Sequence, residues 1–402
     1  MPLTNMPNFT EEEKNAVVRR VPEIRTRLLN NRVIFDQYPD GPILKVGDIY
    51  EGIWLEHNQD NYFLAEYDPE TAWRSQDLFL KHQREDGLIP FVFPVHPKDP
   101  AGLRFGQVQC VWSAVRCALE IARKVGRPQG DLQRIYECGT RYDRWFETYR
   151  NTMGTGLAEM FCEFDTGHDN DPRVTDGGIP KSCPEKDAAR MPECPVLPIL
   201  SVDLSAMLYG GRIALAELAG ILGKSEEQSA WLEKARILKE AIMKYLYDPE
   251  DHFYYDRNKD GFRKYRTEHV TRLFLNRVLT LQEFDEVYDR YFTVPGKGFC
   301  APYPIPSVAV DDPHFDRNCP KNSWGCNTQA LTALRAVLWM DHYRRAEDLT
   351  CLLARWLRAF CDHPESTFQQ ELHPFTGAPV GEGVGYAPSL LIYLEAVKRL
   401  GW

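Results

Sequence analysis

Residues 203–247 read DLSAMLYGGRIALAELAGILGKSEEQSAWLEKARILKEAIMKYLY and contain two consecutive segments with helical periodicity, 203–223 and 225–247. Apolar residues recur three and four positions apart in both segments, as on one face of an α-helix. Only Lys224 separates the two segments. A connection this short brings consecutive helices side by side and antiparallel, so the stretch predicts a helical hairpin.

The same pattern continues on both sides of this hairpin. Further apolar or amphipathic segments occupy residues 108–126, 131–149, 279–292, 327–345, 346–363 and 387–400. Strand signals are few and short by comparison. The chain is therefore expected to be all-α, with roughly a dozen helices.

Capping residues predict where two of the earlier helices begin. Thr10 and Glu13 match the capping-box pattern ahead of VVRRVPEIRTRLL, in which Pro22 predicts a break or a kink. Asp68 is expected to cap a helix whose first residue is a proline and which ends near Gly87.

The connections between helices alternate between tight turns and long segments rich in Pro, Gly, Asp, His and Trp, such as GLIPFVFPVHPKDPAGLRFGQ at 87–107. Long loops inside a compact domain are usually functional. No low-complexity linker divides the sequence. Paired helices with long loops predict a toroid of helical hairpins, folded as one catalytic domain over residues 1–402.

Composition excludes several classes of protein. Of 402 residues, 43% are hydrophobic and 26% are charged, as in ordinary globular domains. The net charge is −10 and no basic block is present, so nucleic acid is not an expected partner. The N-terminus lacks a signal-peptide pattern and no apolar run of about 18 residues occurs, so we expect a cytoplasmic protein with no membrane partner.

Cysteine and aromatic usage narrows the choice further. Eleven cysteines are scattered without a CxxC pair, which favours reduced thiols over a zinc site or a redox pair. Aromatic residues reach 12%, with nine tryptophans and nineteen tyrosines. Aromatic side chains with polar edges form the walls of sugar sites, so this composition favours a carbohydrate ligand.

The ligand-rich stretch FDTGHDNDPRV at 164–174 does not match a calcium loop, because its aspartates miss the EF-hand spacing. DRNKDGF at 256–262 comes closer, but the twelfth position is Thr267, and we expect a hairpin turn there. Neither HExxH nor GxSxG occurs, and GEGVGY at 381–386 does not follow a clear strand. No metal and no cofactor are expected.

Paired carboxylates remain as candidate chemistry, because glycoside hydrolysis needs one protonated and one ionised carboxyl group. The carboxylates that lie in loops beside aromatic residues and glycines are Glu56, Asp60, Asp165, Asp169, Asp171, Asp203, Glu371 and Glu382. Sequence spacing alone does not choose between them.

Several segments, taken in chain order, resemble the clan of inverting α-glycosidases that includes trehalases, processing α-glucosidases and mannosylglycerate and glucosylglycerate hydrolases, in glycoside hydrolase families 37 and 63. The segments are EHNQDNYFLAEYDPETA, LKHQREDGLIP, FDTGHDNDPRV, SVDLSAML, APYPIPSVAVDDPHF, SWGCNTQALTAL and FQQELHPFTGAPVGEGVGYAPSLLIYL. This resemblance implies an (α/α)6 barrel whose long loops form the active-site face.

The resemblance also implies the catalytic pair. FDTGHDNDPRV is similar to the family signature that carries the general acid, which places the acid at Asp169 and a substrate-orienting arginine at Arg173. Glu371 takes the position of the general base. His168 stands where the family has tryptophan, which implies an altered sugar preference. We expect Arg173 to bind sugar hydroxyls or an aspartate other than Asp169.

The implied activity is inverting hydrolysis of an α-glucoside or a related α-linked glycoside, such as a small disaccharide or a glycosylglycerate. A raised pKa is expected for Asp169, from burial and from the neighbouring charges of Asp165 or Asp171. The sugar contacts that the resemblance implies are Trp54, Asp60, Asn61, Gln109, Gly167, His168, Arg173, Asp203, Trp324, Glu382 and Tyr386.

Two alternatives remain open at this point. Sugar epimerases and polysaccharide lyases also use helical toroids, with His or Tyr as proton shuttles, and fold alone does not separate them from hydrolases. The histidines that would then matter are His57, His168, His252 and His373. A sugar-binding protein without turnover is the third hypothesis.

Overall fold

Helices dominate the computed structural model, which describes residues 5–35, 38–48, 50, 52–94, 103–321, 323–381, 383 and 385–402. Its α-helices are α1 Glu11–Asn30, α2 Asn58–Leu64, α3 Pro69–Lys81, α4 Ala114–Val125, α5 Gln129–Tyr149, α6 Pro172–Thr175, α7 Val202–Ile221, α8 Ser225–Tyr245, α9 Thr271–Leu275, α10 Leu281–Tyr291, α11 Ala330–His342, α12 Ala346–Asp362 and α13 Ala387–Leu400. The expectation of an all-α chain with about a dozen helices is confirmed.

Six of these helices form a closed inner ring. In this ring α2 contacts α4, α4 contacts α7, α7 contacts α9, α9 contacts α11, α11 contacts α13, and α13 returns to α2. The outer helices α1, α3, α5, α8 and α12 pack against the ring. Helix α10 reaches it through Phe284, whose ring lies 4.7 Å from that of Phe274 in α9. The architecture is the expected (α/α)6 toroid.

The predicted hairpin at 203–247 is formed by α7 and α8. Gly223 adopts a φ of +75° after α7, and Lys224 donates its N–H to Ala219 O at 2.8 Å, so the chain reverses directly. An 18-residue window of α7 has a mean hydropathy of 1.2, enough by length and composition to cross a membrane. However, 72% of that window is buried within the protein, as expected for a helix in the inner ring.

The two predicted helix caps are confirmed, whereas the course of α1 at Pro22 and the end of α3 differ from the predictions. Glu13 N–H donates to Thr10 Oγ1, and the Asp68 side chain accepts from Thr71 N–H. Helix α1 continues through Pro22, contrary to the predicted break; this proline lies on the exposed side, where solvent can hydrate the carbonyl that it leaves unpaired. Helix α3 ends at Lys81, before Gly87, because the chain enters a separate turn.

The strands are short, as expected, and all pair antiparallel. They are β1 Arg32–Phe35, β2 Tyr38–Leu44, β3 Gly52–Trp54, β4 Val92–Pro94, β5 Glu159–Met160, β6 Ile199–Leu200, β7 Tyr247–Asp248, β8 Phe253–Tyr254, β9 Asp256–Asn258, β10 Gly261–Arg263, β11 Thr328–Gln329, β12 Glu371–Leu372 and β13 Pro379–Val380. Strands β9 and β10 confirm the hairpin predicted for DRNKDGF, with Gly261 at a φ of +125°.

One large hydrophobic cluster extends from Val17 to Val397, so helices from both ends of the chain share a core. The long segments that precede the inner helices carry most of the short strands and the 3-10 helices. Because they lead into the starts of ring helices, they meet at one end of the toroid.

Candidate active site

A cavity of about 1090 Å³ opens at this end of the toroid. Its lining comes from the segments that precede α2, α4, α6, α7, α11 and α13, most of which are distant in sequence. Both carboxylates of the expected catalytic pair, Asp169 and Glu371, line it. The fold therefore brings together two acids that lie about two hundred positions apart in the chain.

Asp169 lies in a turn between a 3-10 helix, Glu163–Thr166, and α6. Its carbonyl accepts the backbone N–H of Trp324 at 3.1 Å, while its carboxyl group has no hydrogen-bond partner among the described residues. Burial, followed by the negative charges of Glu56 and Glu163, raises the pKa of Asp169 to about 7. A carboxyl group with this pKa holds a proton at neutral pH that it can donate.

Burial raises the pKa of Asp169 as expected, but the charged neighbours that raise it further differ from the expectation. Asp165 and Asp171 were expected to supply the like charge, but neither carboxylate is available for that role. Asp165 forms a buried pair with Arg150, at 2.6 Å, and Asp171 accepts the N–H of Arg173 at 2.8 Å as the cap of α6. The neighbours that act on Asp169 come instead from other turns.

Glu371 lies on β12, opposite Gln329 of β11. Its carboxylate accepts the backbone N–H of Ser323 at 3.0 Å, the side-chain amide of Asn327 at 3.0 Å and that of Gln329 at 2.8 Å. Donors of this kind stabilise the ionised form of a carboxyl group. Only 2% of Glu371 is exposed, so the charge is held in place by hydrogen bonds rather than by bulk water.

A third carboxylate, Glu56, also lines the cavity. Gln109 Nε2 donates to it at 2.7 Å, and His57 Nε2 lies 3.4 Å away. Burial would raise the pKa of Glu56, but the hydrogen bond and charge of His57, with the charge of Arg335, outweigh it and lower that pKa. Glu56 is therefore the permanent negative charge that faces Asp169.

Gly167 is required for this arrangement. Its φ is +72°, in the left-handed region, and a Cβ at this position would lie 2.1 Å from Glu56 Oε2. Any larger residue would displace the carboxylate of Glu56. Gly167 lines the cavity, and its contact with a sugar stays a prediction.

Asp60 and Asn61 are not exposed to the cavity, which corrects the expectation of direct sugar contact. Asp60 is 1% exposed and lies 3.1 Å from His57 Nδ1, while Gln59 Nε2 donates to it at 2.9 Å. Asn61 is buried in α2. The carboxylate that the segment presents to the cavity is Glu56, because the chain enters α2 immediately after it.

Trp54, Gln109 and Trp324 line the cavity at the positions expected from the sequence. Trp54 packs against Phe91, with ring centroids 5.8 Å apart. Gln109 is held with a φ of +42° as it donates to Glu56. These residues give the cavity aromatic surface beside directed hydrogen-bonding groups, the combination typical of small polar ligand sites.

His168, Arg173 and Asp203 lie behind the cavity wall and do not line it. Arg173 binds Asp203 at 3.0 Å and Asp256 at 2.6 Å, in agreement with the expectation that it pairs with an aspartate other than Asp169. His168 is 1% exposed, and its Nε2 lies 2.7 Å from Glu268. These three residues support the site from below, which corrects the expectation that they contact the sugar.

His168 acts on the cavity through its contact with Trp324 and through its charge, which lowers the pKa of Asp169. The two rings meet edge to face, with centroids 4.7 Å apart. Burial lowers the pKa of His168, but the hydrogen bonds that its ring donates to the carboxylates of Asp203 and Glu268 outweigh burial and raise it. The histidine that replaces the family's tryptophan thus supports a tryptophan that does line the cavity.

Tyr386 is also buried behind the wall, which corrects its expected sugar contact. Its hydroxyl lies 3.4 Å from His57 Nε2, and its ring lies 5.5 Å from that of Tyr50. Glu382 lies outside the described residues, so its role stays a prediction.

Tyr50 is a lining residue that the sequence did not single out. Its hydroxyl donates to Gln370, the neighbour of Glu371, and burial together with the charges of Glu56, Glu371 and Asp169 raises the pKa of Tyr50. A phenol that keeps its proton among three carboxyl groups is a hydrogen-bond donor. Its only signal in the sequence is its position four residues before Trp54.

Cys162, Asp165 and Cys183 meet with their possible ligand atoms within 4.8 Å of one another. Asp165, however, already accepts from Arg150 and from the backbone N–H groups of Val108 and Phe161. A carboxylate saturated by donors and neutralised by a guanidinium is a poor metal ligand. These contacts favour a structural role for the cluster.

The cavity of this (α/α)6 toroid holds two carboxyl groups in contrasting surroundings, and glycoside hydrolysis uses a pair of carboxyl groups. The chain belongs to the family described as mannosylglycerate hydrolase MGH1-like glycoside hydrolase domain, which it matches over residues 60–388. Membership of a hydrolase family favours hydrolysis over the epimerase and lyase alternatives.

Two curated relatives are the mannosylglycerate hydrolases MGH1 and MGH2 of Selaginella moellendorffii. Each is 27% identical over 126 residues, which cover 27% of this chain and 25% of the relative. The aligned part thus spans about a quarter of the length of these relatives.

Solved structures extend the likeness over nearly the whole fold. The mannosylglycerate hydrolase of Thermus thermophilus in complex with glucose gives a TM-score of 0.69 at 17% identity, covering 94% of this chain and 99% of that one. Its complex with Tris and D-glycerate gives 0.69 at 18% identity, covering 94% and 100%. Neutral trehalase Nth1 of Saccharomyces cerevisiae gives 0.66 at 14% identity, covering 94% and 80%.

Proposed function

We propose that this protein is an inverting glycoside hydrolase, with Asp169 as the general acid and Glu371 as the general base. The observation that carries the proposal is the contrast between the two carboxyl groups in one cavity. Asp169 is partly exposed in the cavity wall, has no side-chain donor among the described residues and has its pKa raised to about 7, whereas Glu371 is buried and accepts N–H hydrogen bonds from Ser323, Asn327 and Gln329. These environments suit a proton donor and a proton acceptor, respectively.

The proposed reaction has one displacement step. Asp169 transfers its proton to the glycosidic oxygen as the bond from that oxygen to the anomeric carbon breaks. A water molecule attacks the anomeric carbon from the opposite face, and Glu371 takes a proton from it. The products are a free aglycone and a sugar with inverted anomeric configuration, and the two carboxyl groups have exchanged protonation states.

The remaining lining groups have supporting roles in this proposal. Trp54 offers part of its ring to the sugar, Trp324 forms an almost fully buried part of the wall, and Gln109 with Glu56 offers an amide and a carboxylate for the hydroxyl groups of the sugar. Glu56 also keeps Asp169 protonated, because its negative charge disfavours a second one nearby.

For the substrate we propose a small α-linked glycoside, either a disaccharide or a glycosylglycerate. The curated relatives are named mannosylglycerate hydrolases, and the Thermus protein was crystallised with glucose and with D-glycerate. These names describe those proteins and support the same class of ligand here. The partner of this chain is then a small soluble carbohydrate.

The test is proton NMR of the products formed in the first minutes, before mutarotation. Wild-type protein is supplied with α-glucosyl- and α-mannosylglycerate and with α-linked disaccharides of glucose and mannose. Inverting hydrolysis gives the β-anomer first. An α-anomer would contradict inversion, and an uncleaved epimer or an unsaturated product would contradict hydrolysis. The variant Glu371→Gln serves as the control and should release no sugar above background.

A further inference from the structure

The cavity is larger than a glycoside of a three-carbon acid requires. Its volume of about 1090 Å³ lies at the upper end of the roughly 300–1,000 Å³ found for sites of drug-sized ligands. The groups that serve the proposed reaction account for part of the lining only. The rest includes Phe91, Phe105 and Phe164 together with residues of the segment 182–187.

One part of this lining, formed by residues 105–106 and 182–187, is called here the outer wall. Backbone hydrogen bonds fix its two segments together. Ala188 donates its N–H to Phe105 O at 2.7 Å, and Cys183 donates to Gly106 O at 3.0 Å. Ser182 Oγ also donates to Gly106 O, at 3.1 Å. The outer wall is therefore a preformed surface rather than a loose loop.

The outer wall combines aromatic surface with polar edges. Phe105 is half-buried and carries the guanidinium of Arg84 over its ring, 5.3 Å from the centroid. Phe164 adds a second partly exposed ring. Ser182, Lys186 and Asp187 place hydroxyl, ammonium and carboxylate groups on the same lining. Aromatic faces suit the C–H side of a sugar ring, and polar side chains suit its hydroxyl groups.

The charges on the outer wall do not favour an anionic aglycone. Arg84 forms a two-pronged pair with Asp86, at 2.9 and 2.6 Å, and also binds Asp187 at 3.0 Å. Its positive charge is thus met by two carboxylates within the protein. Glu185 is likewise paired, with Arg190 at 2.6 Å, and Lys186 adds an ammonium group to the lining. Most of the charge on this surface is therefore met within the protein, which leaves its aromatic faces and hydrogen-bonding groups for a neutral polyhydroxylated ring.

We infer that the outer wall is a subsite for a second pyranose ring, so the substrate class is α-linked di- or oligosaccharides rather than glycosides of a small acid. This inference rests on the proposed function, because it assigns the aglycone of the same reaction. Phe105 would stack against the ring, and Ser182 and Asp187 would bind its hydroxyl groups.

The experiment compares two substrates that share the cleaved sugar. One is the α-linked disaccharide that the wild-type protein cleaves fastest, and the other is the α-glycosyl fluoride of the same sugar, which has no second ring. Phe105→Ala should lower kcat/KM for the disaccharide about tenfold more than for the fluoride, since one lost stacking contact corresponds to roughly one decade. The selective loss, rather than the absolute rate, is the readout.

Phe262→Ala provides a matched control. Phe262 is also partly buried and carries an arginine, Arg257, 4.8 Å from its ring centroid, but it lies on β10 away from the cavity lining. Phe262→Ala should therefore change kcat/KM by the same factor for both substrates. If Phe105→Ala also affects both equally, or if wild-type protein prefers glycosylglycerates to every disaccharide, the second-ring subsite is wrong. If neither substrate is hydrolysed, the proposed function itself fails.

Discussion

Asp165 and Asp169 lie four residues apart in the same loop, yet the fold gives them opposite environments. Asp165 is fully buried and accepts hydrogen bonds from Arg150 and from three backbone N–H groups. Burial raises its pKa, but the Arg150 charge and these bonds outweigh burial and lower it. Asp169 has no such donor within the described part of the chain, and its pKa is raised to about 7.

The difference separates a carboxyl group that the protein saturates with donors from one that is open to a cavity. Buried polar groups in folded proteins are normally hydrogen-bonded, so an unbonded one in a cavity calls for an explanation. Asp165 is satisfied by the protein and holds the loop to α5 through Arg150. Asp169 is left for a ligand, as expected for a group that must donate its proton to the substrate.

The largest expected effect is on turnover. Asp169→Asn should lower kcat by about 10²–10⁴-fold, because it removes the general acid. The protein should stay folded, since no described hydrogen bond to that carboxyl group is lost. Steady-state kinetics together with far-UV circular dichroism check this. Near-normal turnover in a folded variant would show that another group supplies the proton.

The second effect is on stability and concerns the other aspartate. Asp165→Asn should lower the free energy of unfolding by about 3–5 kcal/mol, because it leaves the Arg150 guanidinium buried without its counter-charge. The lowered pKa of Asp165 means that its stabilisation is present above the ordinary aspartate pKa of about 3.9 and is lost as pH falls through the folded-state value.

Urea unfolding at pH 7 measures this difference, with Asp169→Asn as the matched control. The control should unfold at a urea concentration no lower than that of the wild type, since its raised pKa means that ionising Asp169 in the folded state is unfavourable. Equal destabilisation by both variants would show that the two carboxyl groups are not as different as their contacts indicate.

The smallest effect is a shift in the pH dependence of kcat/KM. Asp169 must be protonated to act, so activity should fall as pH rises through its pKa of about 7. Glu56→Gln removes the strongest neighbouring negative charge and should move this basic limb to lower pH. Glu163→Gln should move it in the same direction by less, because its effect on the pKa of Asp169 is the smaller of the two.

Lys181, whose charge is opposite to those of Glu56 and Glu163, provides a control for the shift of the basic limb. Lys181 lowers the pKa of Asp169, so Lys181→Met should move the basic limb slightly to higher pH. If the basic limb moves in the same direction in Lys181→Met and Glu56→Gln, a group other than Asp169 causes it. The same conclusion follows if the limb does not move in Glu56→Gln.

The sequence predicted long helices better than short ones. The sequence segments that form α4, α5, α7, α8 and α13 each contain several turns of helical periodicity. The presence of a helix in each segment therefore follows from the local pattern. Helices α2 and α9 have only seven and five residues, too few for a period to emerge. They are stable because ring neighbours cover them on both sides, which is a tertiary effect.

The sequence also predicted part of the site but not all of it. Motif order placed Asp169, Glu371, Gln109 and Trp324 in the cavity, although the motifs are far apart in the chain. The choice of Asp60 over Glu56 was wrong, because a difference of four residues at the start of a short helix decides which side chain faces the cavity. Position in a motif does not report that orientation.

The sequence by itself determined the helical hairpins, the absence of a basic nucleic-acid surface and the loops in which the acids lie, because these depend on local periodicity and composition. Only the tertiary structure decided which carboxyl group has a raised pKa. The pKa of each carboxyl group depends on partners that other segments supply. Arg150 pairs with Asp165, and Glu56, which lies against Gly167, places a negative charge near Asp169. Burial and charge act through space, so neighbours in the fold, rather than in the chain, set the chemistry of each aspartate.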